Sequence, residues 1–120
     1  MCGIFSINSL NRNLEDTRFI EGTKKALNKL SHRGPDGSGI LIKTSAILGH
    51  RRLSIIDIAS GQQPMMTDDG KIGITYNGEV YNYVEIRNEL IDLGHKFQTN
   101  SDTEVVLKAF SQYGRSEERR

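Results

Sequence analysis

Cys2 is the single cysteine of this 120-residue chain, and it follows Met1 directly. A small second residue permits removal of the methionine, which would leave one residue carrying both a thiol and a free α-amine. An ionised thiol is a strong nucleophile, and an α-amine titrates at about pH 8 without assistance. A nucleophile with a built-in base is a known catalytic device. A lone cysteine is also, more plainly, an inert small hydrophobe. Three polar groups bear on the choice. Tyr76-Asn77-Gly78-Glu79 reads either as a turn or as an oxyanion hole, with the Asn77 amide and the Gly78 N–H aimed at one point. Gly49-His50-Arg51-Arg52-Leu53 sets arginines at the end of an apolar stretch, as a solvated strand end or for bidentate capture of a carboxylate. Ser101-Asp102 puts a negative charge at a helix start. The macrodipole favours it there, and it equally suits an ammonium ligand.

The elements that must position these groups follow from periodicity and turn chemistry. Residues 3–8 are mostly apolar and read as a short strand; 11–16 read as a polar connection. Phe19, Ile20, Thr23, Ala26, Leu27 and Leu30 recur at helical spacing, predicting a helix over 17–31 with Lys24, Lys25 and Asn28 outside. The run HRGPDGSG at 32–39 is a tight loop by its glycines and proline. Strands are expected at 40–43 and 46–53 around a Thr44-Ser45 turn, with 55–58 as an extension. A long loop over 60–70 and a strand over 71–76 come next.

Two helices then have recognisable starts. Asn82 caps a helix over 83–93, with Glu85 reaching back, Tyr81 and Ile86 forming a staple, and Gly94 as the stop. Ser101 to Glu104 forms a second capping box, for a helix to Tyr113 that buries Val105, Val106, Ala109 and Phe110. Strands grouped apart from helices argue an α+β fold rather than a parallel βαβ sheet.

Composition narrows the functional classes. A net charge of +1 with no basic run gives nucleic acid and anionic membranes nothing to hold. The amino terminus lacks a signal peptide's basic start, no stretch is long enough to span a membrane, and one cysteine forms no internal disulfide. A cytoplasmic protein is expected. His32, His50 and His95 match no ligand spacing with Cys2, so no metal site is expected, and His32 and His50 read as hydrogen-bonded structural residues.

The motifs MCGIF at 1–5, HRGPDGSG at 32–39, GHRRLSIIDI at 49–58, GQQPM at 61–65, YNGEVYN at 76–82 and SDTEV at 101–105 stand in one order across nearly the whole chain. Together they resemble the class II glutamine amidotransferase domain of asparagine synthetases. The RGPD loop points to that branch rather than to the aminosugar or purine-pathway amidotransferases. Ser6 stands where the family commonly has glycine. The resemblance implies an N-terminal-nucleophile hydrolase fold, an αββα sandwich. It also implies hydrolysis of glutamine to glutamate and ammonia, which feeds ATP-dependent asparagine synthesis from aspartate.

By position, Cys2 is then the nucleophile and Asn77 and Gly78 the oxyanion donors. Arg52 takes the substrate α-carboxylate and Asp102 its α-ammonium. Glu79 and the segment Leu53, Ser54, Ile55 and Ile56 line the substrate. No cofactor is implied in this chain; ATP and Mg belong to a synthetase domain, which would be the partner, and a homodimer is admitted. Residues 1–114 read as a partial amidotransferase domain that stops short of the family's further strands, with 115–120 as a polar tail. Missing strands would leave an open core face and low stability as an isolated monomer. Two other readings stay open: an amidotransferase serving another acceptor, such as a sugar or polysaccharide, and a catalytically dead binding fragment.

Overall fold

The computed structural model describes residues 2–53 and 62–114. A three-stranded antiparallel sheet forms from β1 (Gly3–Asn8), β2 (Gly37–Ile42) and β3 (Ala46–Arg52), in the order β1-β3-β2. Gly3 lies opposite Arg51 and Asn8 opposite Ala46, while Gly37 pairs with Arg52 and Ile42 with Ile47. β2 therefore starts three residues earlier than the glycines suggested. Its ladder runs up to the arginine end of β3, and the Asp36 N–H donates to the Arg52 carbonyl at 3.0 Å. At Gly39 a Cβ would collide with the Gln63 carbonyl oxygen. The missing side chain lets a second backbone lie on the strand.

Side chains alternate between the two faces of this sheet, and each face has its own cover. On the face of Gly3 and Gly49 lies α1 (Thr17–Lys29): a Cβ on Gly49 would come within 2.9 Å of Leu27, and one on Gly3 within 3.2 Å of Leu30. The Asp16 side chain caps α1 by accepting from the Arg18 N–H, and Thr23 and Leu27 are its buried residues. The connection before α1 is less polar in effect than in composition. Leu14 is only 1% exposed, and its N–H donates to the Thr44 carbonyl at 2.8 Å.

The opposite face, that of Leu41, Leu48, His50 and Arg52, meets a two-stranded antiparallel sheet of β4 (Met65–Met66) and β5 (Gly73–Ile74). A Cβ on Gly73 would reach 2.8 Å from Leu41. Both strands depart from expectation. Met65 and Met66 are paired rather than looped, and the strand expected over 71–76 ends at Ile74. Beyond it the chain is held by side chains instead of a ladder: the Thr75 hydroxyl donates to the Gly49 carbonyl, and the Tyr76 N–H donates to Gln63 Oε1. The expected strand extension at 55–58 and the polar tail lie outside the described residues.

Helices α2 (Tyr83–Asp92) and α3 (Asp102–Tyr113) pack on each other, and α3 also contacts β4 and β5. Gly94, at φ +101°, closes the end of α2, a conformation costly for any other residue. The expected cap of α2 is absent: Asn82 makes no side-chain cap bond, and Tyr81 is 92% exposed and staples nothing.

The box of α3 is half formed. Ser101 Oγ accepts from the Glu104 N–H at 3.3 Å. Glu104 turns instead to the preceding loop, accepting from the N–H groups of Gln98 and Thr99 and from the Thr99 hydroxyl, and is buried by doing so. The buried face of α3 is accordingly rotated. Thr103, Glu104, Val105, Leu107 and Lys108 are buried, whereas Phe110 is 36% exposed. The expected stripe of Val106, Ala109 and Phe110, with Val105, lines an open apolar groove of about 210 Å³ shared with Val80 and Ile86.

Candidate active site

The arginine end of β3 is clamped by the RGPD loop. Arg51 Nε donates to the Gly34 carbonyl at 3.0 Å, and a Cβ on Gly34 would overlap the Arg51 backbone. Pro35 forms a bridge with Arg52. This tight docking sets the exit of β3, and Cys2 lies beside that exit. The Leu53 N–H donates to Cys2 Sγ at 3.5 Å, and Sγ is 4.0 Å from the Leu53 carbonyl oxygen. Cys2 is half-buried and unpaired as a thiol. Arg52 lines an adjacent cleft of about 360 Å³ with Asp36, Ser38, His50, Gln62 and Gln63, within the size range of small-molecule sites.

A second group gathers at the start of α3. Asp102 Oδ2 accepts from the Val80 N–H at 3.1 Å, and no other hydrogen bond reaches this carboxylate among the described residues. The Tyr76 ring folds over Gly78, so that a Cβ on that glycine would lie 2.8 Å from the phenol oxygen. Burial raises the Tyr76 phenol above its ordinary pKa, and the nearby charges of Asp102 and Glu79 raise it further. Tyr76, Gly78, Glu79 and Asp102 thus share one locale. Asn77, Gly78 and Glu79 are exposed, and no hydrogen bond joins Cys2 to Asn77 or Gly78 among the described residues. Ser54, Ile55 and Ile56 lie outside the described residues.

Two residues that the sequence did not single out tie these groups together. Thr75 is one. Its hydroxyl proton goes to the Gly49 carbonyl at 3.1 Å, so its oxygen is left to accept from His50 Nδ1 at 3.0 Å. That assigns the proton of His50 to Nδ1. Nε2 is then a buried acceptor without a partner among the described residues, on a side chain only 1% exposed. Burial first, and then the charge of Arg52, hold His50 below its ordinary pKa. His50 is therefore structural on one nitrogen, as expected. His32 is exposed, and His95 Nε2 lies 2.8 Å from Gln112 Oε1.

Gln63 is the other. It lines the Arg52 cleft while its amide reaches the backbone of Tyr76 and the hydroxyl of Thr103. Its place in the GQQPM motif was the available signal. No group of three His, Cys, Asp or Glu side chains suited to a metal ion occurs among the described residues. No helix of the described residues is long and apolar enough to cross a membrane.

Comparison with known proteins matches the sequence to a family. The sequence profile of the glutamine amidotransferase domain covers residues 1–120. The chain is 41% identical over 114 residues to a probable asparagine synthetase (glutamine-hydrolyzing) of Schizosaccharomyces pombe, covering 95% of this chain and 20% of that protein. It is 40% identical over 116 residues to the asparagine synthetase (glutamine-hydrolyzing) of Asparagus officinalis, covering 95% of this chain and 19% of that one. With asparagine synthetase (glutamine-hydrolyzing) 1 of Bacillus subtilis it shares 42% over 115 residues, covering 94% and 18%. The chain spans about a fifth of the length of the curated relatives it matches. With the profile matched from first residue to last, the chain belongs to the glutamine amidotransferase domain family.

Proposed function

We propose that this chain hydrolyses glutamine to glutamate and ammonia through a thioester on Cys2. The observation that carries the reading is the thiol at the Leu53 N–H, beside the Arg52 cleft, in a chain of this family. With Met1 removed, the Cys2 α-amine takes the Sγ proton, directly or through a water. The thiolate attacks the side-chain amide carbon, and the carbonyl oxygen becomes an oxyanion received by the Asn77 amide and the Gly78 N–H. The C–N bond then breaks, ammonia leaves with the proton held by the amine, and a thioester remains. Water hydrolyses it to glutamate and restores the thiol.

Arg52 takes the α-carboxylate and Asp102 the α-ammonium, with Glu79 and residues 53–56 along the substrate. A zwitterion is thereby selected, because peptide-bound glutamine would leave both charges unpaired. The stacking of α1, the two sheets and α3 suits the sandwich of N-terminal-nucleophile hydrolases. The names of the relatives support asparagine synthesis as the use of the ammonia, in a synthetase domain that would bind ATP and Mg. A reducing cytoplasmic setting suits the single thiol.

The test is glutamate release from glutamine by the purified protein, with its amino terminus checked by intact mass. Cys2→Ala should abolish release. Release at the unsubstituted rate, or an active protein that retains Met1, would overturn the assignment.

A further inference from the structure

Gln63 makes three contacts that no single element of the fold explains. Its backbone carbonyl rests on β2 at Gly39, where a Cβ could not be placed. Its side-chain Oε1 accepts from the Tyr76 N–H at 2.6 Å, and its Nε2 donates to Thr103 Oγ1 at 3.2 Å. Tyr76 directly precedes Asn77 and Gly78, and Thr103 directly follows Asp102. One carboxamide therefore reaches the residue beside Asn77-Gly78 and the residue beside Asp102, and its backbone is seated on the sheet that also carries Arg52.

We propose that Gln63 is a positioning residue that fixes the distance between the Asn77-Gly78 loop and Asp102, and holds both against the sheet bearing Arg52. The inference rests on the glutaminase reading above and adds a residue to it. The need for such a tie is physical. β5 stops at Ile74, so the loop after it has no strand partner to hold it. Asn77 makes no hydrogen bond of its own among the described residues, and Asp102 has one, to Val80. An oxyanion donor gains its advantage by being fixed in advance, and displacements on the ångström scale are costly. A carboxamide suits the task because it accepts on one atom and donates on the other without adding a charge near Glu79 and Asp102.

The experiment is steady-state glutaminase kinetics on Gln63→Met, Thr103→Val and the double variant, together with amide hydrogen exchange. Gln63→Met keeps the length of the side chain and cuts both links; it should lower kcat and raise KM for glutamine, each by about tenfold or more. Thr103→Val cuts only the helix side; it should raise KM and leave kcat within about twofold. The two KM effects should not add in the double variant. Unchanged constants in Gln63→Met, or full additivity, would overturn the proposal, and Thr103→Val carries the kinetic test if Gln63→Met does not fold. Should the unsubstituted protein release no glutamate, the glutaminase reading itself falls, and hydrogen exchange decides the positioning claim alone. Both variants should speed exchange at Val80, whose N–H is held by Asp102; an unaltered rate there would sink it.

Discussion

Asn77 is where the proposed chemistry is most sharply exposed to test. Its side chain is exposed and bonded to nothing among the described residues, so truncation removes little that holds the fold. If it is an oxyanion donor, Asn77→Ala should lower kcat by about 10²- to 10³-fold with little change in melting temperature. Steady-state kinetics beside a thermal melt checks both halves of that statement. A variant that melts early and keeps its kcat would return the motif to its plainer reading as a turn. The same motif shows how far single residues can be read in advance. Cys2, Arg52, Asn77 and Asp102 stood out because each is chemically specific where it sits. Gln63 and Thr75 did not, since a glutamine or a threonine in a loop is unremarkable until the fold supplies its partners. Thr103 lies 40 residues from Gln63, and Gly49 lies 26 residues from Thr75.

Elements whose determinants are local were legible, and those decided by neighbours were not. β1, the body of α1, the Thr44-Ser45 turn and the glycine stop after α2 follow from short stretches of sequence. β4 and β5 are two residues each, too short to carry a period, and exist because they pair with each other. Of the apolar stripe expected to point inward on α3, Val105 is buried, whereas Val106 and Ala109 are partly exposed and Phe110 is exposed. Glu104 accounts for the difference: its carboxylate is committed to the backbone of residues 98 and 99, which draws its own side of the helix into the interior. Leu107, 1% exposed, sits on that side, and Phe110 does not. Leu107→Ala should therefore cost about 2–5 kcal/mol, the usual range for a buried leucine, and Phe110→Ala distinctly less. Chemical denaturation of the two variants checks the order, and a larger loss at Phe110 would contradict the observed face.

For the molecule as a whole, the arrangement is layered, with α1 on one face of the three-stranded sheet, β4 and β5 on the other, and α3 beyond them. His50 sits between the two sheets, bridged by Thr75, and this gives the fold a dependence on acid. An imidazole in the unfolded chain takes up its proton at about pH 6.5. In the folded chain burial, and then Arg52, hold His50 below that value. Below about pH 6.5 the unfolded state thus binds more protons, and stability falls until the pH has passed the folded-state value. The melting temperature should accordingly drop between about pH 7.5 and about pH 5.5, and His50→Gln should show a shallower drop. Equal slopes would mean that other groups govern the acid response.

Cys2 carries the only sulfhydryl among 120 residues. Any electrophile that alkylates a thiol on this chain must therefore attach at the Leu53 exit of β3 and nowhere else. A fluorophore or spin probe introduced by ordinary maleimide chemistry becomes a reporter at a single address, with no cysteine elsewhere to engineer away.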